Sequence, residues 1–378
     1  MKRYNLLTVF LMMLSLVSTG CAAATTQEKN DNVEEPTVPP AKQLYSRLQH
    51  VVDSGKFIFG HHDDTAYGHT WKYEADRSDV KDVVGDYPGL MNWDLGLIEY
   101  CSEKQLDGVP FDFIRNEVKK QHARGGINSF SWHLRNPATG GDSWDTSATN
   151  VHDVVTPGTA LNDTIKRWAS YAADFFLSLK DDHGNHIPVL FRPWHEHTGS
   201  WFWWGRDFCT PDEYKALWRI VRTIFDKKGV DNVLWVYSPD KVADEADYRE
   251  RYPGDEYVDI LGADVYHFSA GEGLEDYFKR AHIQLNAATH MSQLTGKLIA
   301  LSETGSESLP MPRWWTKVLL PLCSEYHIAY VCVWRNAYQE ENPTHFYAPF
   351  PGQESENSFI QFYNNPKTLF AKDLKEIK

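Results

Sequence analysis

Eight short apolar runs, separated by longer amphipathic segments, constrain the fold of this chain more than any other feature. They are Lys56–Gly60, Pro88–Trp93, Gly126–Trp132, Ile187–Phe191, Asn232–Tyr237, Val258–Ala263, Lys297–Leu301 and Ile328–Trp334. They are short and rich in β-branched and aromatic residues, as strands buried on both faces of a parallel sheet should be. Between them, Phe111–Arg124, Leu161–Leu179, Pro211–Lys228 and Leu274–Leu294 read as helices. The third opens on Thr210-Pro211-Asp212-Glu213, a hydroxyl cap followed by proline and then acids in the first turn. Strand and helix alternating through eight units predict an α/β fold, a single (β/α)8 barrel. A doubly wound open sheet is the competing arrangement, but no Gly-rich phosphate loop follows the first strand.

The N-terminus is set apart from this pattern. Lys2 and Arg3 precede the apolar run Leu6–Val17, which ends in Ser18-Thr19-Gly20-Cys21. The run is too short to span a bilayer and reads as an export signal. It resembles a bacterial lipoprotein signal, residues 1–21, with Cys21 as the lipidated residue. Ser18 stands where Leu is usual, and an ordinary secretory signal is the alternative. Residues 22–40, small, polar and proline-bearing, read as a flexible tether, and residues 41–378 as the catalytic domain. No acidic residues directly follow Cys21, which favours the periplasmic face of the outer membrane over the cell surface. Cys101, Cys209, Cys323 and Cys332 match no disulfide framework or zinc motif, and Cys332 lies in an apolar run as a buried thiol would. A net charge of −14 without a Lys/Arg cluster excludes an extended phosphate backbone as partner, so no nucleic acid is expected. A neutral ligand fits better.

In a barrel the chemistry sits at the C-terminal ends of the strands. Those ends carry His61 and His62, Asp94, Trp132 and His133, then Arg192, His195 and Glu196. Tyr237 and Asp240, Asp264 and Tyr266, Glu303, and Trp334 and Arg335 follow in order. Two carboxylates, Glu196 after strand four and Glu303 after strand seven, would enter one cleft from different sides. Glycosidic bond cleavage needs one carboxyl to protonate the leaving oxygen and a second to meet the oxocarbenium-like carbon. The acid must hold its proton near neutral pH, and an apolar wall beside a second carboxylate pushes its pKa upward. The run Trp201-Phe202-Trp203-Trp204 supplies such a wall, and about two of its rings would face the cleft.

The stretch Arg192–Gly205, RPWHEHTGSWFWWG, resembles the acid/base signature of glycoside hydrolase family 26, mostly β-mannanases. Leu301–Gly305 (LSETG) is similar to the nucleophile strand of that family, and Asp264-Val265-Tyr266 to its strand-six motif. The resemblance covers residues 41–378. It implies a retaining mechanism with Glu196 as acid/base and Glu303 as nucleophile, His195 beside the acid/base and Tyr266 holding the nucleophile. It further implies Trp201 and Trp334 as sugar platforms, with His133, Trp132 and His62 as looser glycone-side contacts. The expected activity is that of a β-1,4-mannan hydrolase of the mannan endo-1,4-β-mannosidase type, endo- or exo-acting, without a cofactor and as a monomer. The substrate would be β-mannan or manno-oligosaccharides. β-1,3-Xylan and mixed-linkage β-glucan are the competing substrates, and a non-catalytic glycan-binding lipoprotein is the competing class. The segment Leu95–Pro110 would close one end of the cleft and favour mannobiose as product.

Bland alternatives stand beside these readings. Glu196 could pair with Arg192 structurally, and Glu303 could cap a helix. His61-His62-Asp63-Asp64 could hold a divalent metal, but adjacent residues of a strand point to opposite faces. Asp142 and Asp145, flanking Trp144, could bind sugar hydroxyls or simply be solvated.

Overall fold

The run FIFGHH forms strand β1 (Phe57–His62), buried along its whole length. Its side chains alternate: Phe57 and Phe59 point out into the shell beneath the helices, while Ile58 points into a separate inner core. The same alternation recurs in β2 (Leu90–Asp94), β3 (Ile127–Ser131), β4 (Val189–Arg192) and β5 (Val233–Tyr237). The set is completed by β6 (Ile260–Tyr266), β7 (Leu298–Gly305) and β8 (Ile328–Val333), the last two with interrupted register. All eight are parallel, each pairs with the next, and β8 pairs back onto β1 through Ile58↔Tyr330 to His61↔Val333. Closure of the ring leaves no barrel edge exposed. The computed structural model describes residues 38–268 and 273–377. The signal, the lipidation residue Cys21 and the tether up to Thr37 lie outside the described residues.

Helix α1 (Pro40–Asp53) closes the N-terminal end of the barrel. Its Ala41, Leu44, Leu48 and Val51 join the inward residues Ile58, Leu90, Leu190, Leu234 and Ile260 in one apolar cluster. Each of the Leu, Ile and Val side chains contributes roughly 1.5–3 kcal/mol on burial. The shell is carried by α2 (Phe111–Ala123), α3 (Ala160–Ser178), α4 (Pro211–Lys228) and α5 (Leu274–Thr295). In α4 the Thr210 side chain accepts from the Glu213 amide while Glu213 reaches back to Thr210, and Gly229 ends the helix at φ 72°. The remaining connections are less regular than eight equal units. Only a six-residue helix, Asp79–Val84, precedes β2, and another, Glu245–Glu250, precedes β6. Cys101, Cys209, Cys323 and Cys332 are free thiols.

One irregularity positions the chemistry. On β7, Ile299 and Leu301 face the shell, while Leu298 and Ala300 face the inner core. Strict alternation would send Glu303 outward. The register between β6 and β7 slips between Ala263↔Leu301 and Asp264↔Glu303, and the ladder to β8 slips at the same place. The bulge turns both Ser302 and Glu303 toward the barrel mouth.

Candidate active site

A cleft of about 500 Å³ opens over the C-terminal ends of the strands. Glu196, Glu303, Trp201, Tyr266, His133 and Trp334 line it, together with Trp144, Phe202, Asp240, Lys241, Phe268 and Tyr347.

Glu196 stands on a tightly folded elbow after β4. Trp194 and Glu196 both adopt left-handed backbone angles, φ 55° and 53°, a conformation that costs non-glycine residues of order 1–3 kcal/mol. Hydrogen bonds from neighbouring elements hold the elbow. The Tyr214 hydroxyl donates to the Trp194 carbonyl at 2.9 Å, Trp204 Nε1 to the His195 carbonyl at 2.9 Å, and the Glu196 amide to the Ser238 carbonyl at 2.9 Å. The aromatic run that follows divides. Trp203 and Trp204 are fully buried core, whereas Trp201 lines the cleft and donates Nε1–H to Glu196 Oε2 at 2.7 Å. Phe202 lines the same space. Burial, and after it the charges of Glu303 and Asp240, raise the Glu196 pKa well above its ordinary value. The neutral form of Glu196 is thereby favoured, and its carboxyl makes no hydrogen-bonded pair with Arg192, whose Nη atoms bond Asp264 and Glu303.

Arg192 is committed elsewhere. Its Nη1 donates to Asp264 Oδ2 at 2.6 Å, and its Nη2 forms a short ion pair with Glu303 Oε2. The other Glu303 oxygen accepts from the Tyr266 hydroxyl at 2.6 Å. Asp264 also accepts from Ser238 and Ser302 at 2.8 and 2.7 Å, so its orientation is fixed. One carboxyl of the cleft is thus held by a guanidinium and a phenol in short, charge-assisted geometry, while the other sits against an indole N–H.

The remaining sequence candidates fall into three places. His133 lines the cleft and Trp144 stacks over it at 5.1 Å, 17° between planes. His195 lies just behind, with its Nε2 3.3 Å from His133 Nε2. His62 points inward but lies beneath Trp334, ring centroids 4.2 Å apart, and bonds Asn92 at 2.5 Å, so it supports the platform without reaching the cleft wall. Trp132 does not reach the cleft. It is 1% exposed, packs in the shell against Phe191 and Trp194, and bonds Glu99. The reason is parity, since Phe130 and Trp132 share the outer face of β3 and its continuation while His133 takes the inner one. Asp142 and Asp145 build their own loop, accepting from the Trp144 amide and from Thr139 and Ser147.

Sequence reasoning missed Arg192 as the clamp on Glu303, Asp94 as the partner of His133, and Trp144 and Phe268 as exposed aromatic walls, 49% and 45% accessible. Arg192 and Asp94 were legible as strand-end residues; the two aromatics sit in loops without periodicity.

Among the described residues, one group could approach a metal, His62 with Asp63 and Asp107. The donors do not fit a divalent cation. Asn92 Nδ2 donates to His62 Nδ1, which leaves the proton on Nε2, and Asp107 pairs with Arg335 at 2.9 Å. Asp63 Oδ2 already accepts from Tyr67 at 2.6 Å and from Gln105 at 3.2 Å. The second histidine of the HEH triplet, His197, is buried between Tyr214 and Tyr237, away from the cleft.

Comparison with known proteins agrees with this geometry. The model of the glycosyl hydrolase family 26 matches residues 33–305. A GH26 β-mannanase structure from Bacteroides ovatus superposes with a TM-score of 0.85 at 46% identity, over 89% of this chain and 96% of that one. A mannan endo-1,4-β-mannosidase of Bacillus subtilis is 31% identical over 69% of this chain and 72% of its own length. One from Bifidobacterium adolescentis is 30% identical over 79% of this chain, which spans only 31% of that longer protein. The matched residues contain the Glu196 elbow and the Glu303 strand, and this chain belongs to glycosyl hydrolase family 26.

Proposed function

We infer that the chain is a retaining glycoside hydrolase of the mannan endo-1,4-β-mannosidase type, acting on β-mannan, galactomannan or manno-oligosaccharides. The observation that carries this reading is the contrast between Glu196 and Glu303 within one cleft. Glu303, aimed by Arg192 and Tyr266, attacks the anomeric carbon; Glu196 gives its proton to the departing oxygen, and a glycosyl-enzyme forms. Consumption of Glu303 as an ester removes the negative charge that helped raise the Glu196 pKa. Glu196 then releases its proton more readily and, as carboxylate, takes one from the incoming water. Trp201, Trp144 and Trp334 offer flat faces for pyranose rings. The names of the relatives support mannan as substrate.

Short products, chiefly mannobiose, belong to the same proposal. The segment after β2 is tied by Asp107 to Arg335, the neighbour of the cleft-lining Trp334, at 2.9 Å, and such a tie supports a closed glycone end. We further propose that Cys21 is lipidated and that the enzyme works as a monomer at the periplasmic face. The Met1–Cys21 pattern supports the lipid, and cell fractionation of Cys21→Ala, expected to move the protein from membrane to soluble fraction, tests it.

The functional test is a time-resolved product profile on galactomannan and mannopentaose beside Glu303→Ala. Wild-type release of manno-oligosaccharides, absent in the variant, is the expected result. No product from either substrate, with turnover of β-1,3-xylan or mixed-linkage glucan instead, overturns the mannan assignment.

A further inference from the structure

Behind the cleft wall, three side chains run in a line from β2 to the residue before Glu196. Asp94 ends β2 and is surrounded by donors. Its Oδ1 accepts from the Gly96 amide at 2.6 Å and the His133 amide at 3.2 Å, its Oδ2 from the Ser131 hydroxyl at 2.8 Å and His133 Nδ1–H at 2.7 Å. On the far side of the His133 ring, Nε2 lies 3.3 Å from Nε2 of His195. His195 is 1% exposed, and its Nδ1 is buried without a hydrogen-bond partner.

We propose that Asp94 is a positioning residue for the reaction: through His133 it sets which ring nitrogen of His195, the residue preceding the acid/base, carries the proton. The argument is one of proton counting. Asp94 fixes a proton on His133 Nδ1, and only one proton fits between the two facing Nε2 atoms. When His133 is an imidazolium it donates that proton, and His195 accepts with its own hydrogen on Nδ1. When His133 is neutral, His195 must move its hydrogen to Nε2 and donate in the opposite direction. Because Nδ1 of His195 has no partner, nothing competes with His133 in this choice.

The surroundings favour the imidazolium. Burial disfavours the charge on His133, but the charge and hydrogen bond of Asp94, with lesser help from Glu303 and Asp107, raise its pKa above the ordinary value. Burial also opposes ionisation of Asp94, yet the charge and hydrogen bond of His133, with the Gly96 amide and the Ser131 hydroxyl, hold it at about 2. Burial and the Arg192 charge keep His195 neutral, as burial keeps His62 neutral from the β1 side. The inference rests on reading this cleft as the hydrolytic site.

The test is an imidazole nitrogen NMR titration of histidine-labelled protein from about pH 5 to about pH 9, with His133→Gln for assignment. The expected result is one histidine with a midpoint above the ordinary value, and in step with it a tautomer change in a second histidine that never becomes charged. Constancy of the His195 tautomer through the His133 titration would falsify the proposal, whatever the substrate proves to be. In Asp94→Asn the His133 midpoint should fall, and kcat/KM on manno-oligosaccharide should drop about tenfold near neutral pH, the worth of one charge-assisted hydrogen bond. That loss should shrink as pH falls and His133 regains its proton unaided. A loss independent of pH would mean Asp94 only shapes the site, and would also overturn the proposal.

Discussion

At the scale of single residues, the site works by giving two like carboxyls unlike neighbours. Glu196 meets an indole N–H and apolar walls, while Glu303 meets a guanidinium and a phenol. A carboxyl whose folded pKa is raised stabilises the fold fully below its unfolded pKa, and that contribution is lost as pH rises toward the folded value. Glu196 therefore costs stability at neutral pH, and a neutral isostere relieves the cost. Glu196→Gln is expected to raise the melting temperature at about pH 7 but not at about pH 4, while hydrolysis falls roughly 10²- to 10⁴-fold. Thermal scans at the two pH values, set beside initial rates, check both halves. Equal melting shifts at the two pH values would refute the electrostatic account of Glu196.

At the scale of elements, the elbow after β4 depends on a glycine that the sequence motif contains without explaining. A Cβ on Gly199 would lie 2.2–2.5 Å from three carbons of the Trp201 ring. That ring cannot retreat without giving up its bond to Glu196. Gly199→Ala is expected to destabilise the fold by about 1–3 kcal/mol and to lower kcat more than it raises KM. Chemical denaturation with steady-state kinetics reads this out, and unchanged kinetics would show that Trp201 does not position the acid. This elbow marks where legibility ended. Strand positions were readable because buried parallel strands are continuous apolar runs, and helix α4 was readable from its cap, proline and first-turn acids. His133 facing in and Trp132 facing out follow from period-two alternation counted from Ile127, an inference open to the sequence. The bulge that turns Glu303 inward was not, because register slips arise from pairing with β6 and β8. The run Trp201–Trp204 lies in a loop with no period, so composition alone could not separate the cleft-facing Trp201 from the buried Trp203 and Trp204.

At the scale of the whole molecule, the barrel separates stability from specificity. The inner core and α1 occupy one end, and connections from distant parts of the chain assemble the other. Beside Trp334 these connections are tied to each other. The Tyr73 hydroxyl donates to the Gly108 carbonyl at 3.1 Å, the Gln339 amide to the His69 carbonyl at 2.8 Å, and Asp107 pairs with Arg335. The segments after β1, β2 and β8 thus brace one another, and the Asp107–Arg335 pair is their most buried charged tie, 15% and 22% accessible at the side chains. Removing one partner of a half-buried pair leaves the other charge unmatched and loosens the loop that carried it. Asp107→Ala should therefore leave the Glu196–Glu303 chemistry in place but let longer chains extend past Trp334. On mannopentaose the early product pattern is expected to shift from mannobiose toward mannotriose and longer fragments, read by chromatography over the first minutes of reaction. An unaltered pattern in a correctly folded variant would mean that the Asp107–Arg335 tie does not set product length. The determinant would then lie among the other walls of the cleft, Trp144, Phe268 and Tyr347 among them.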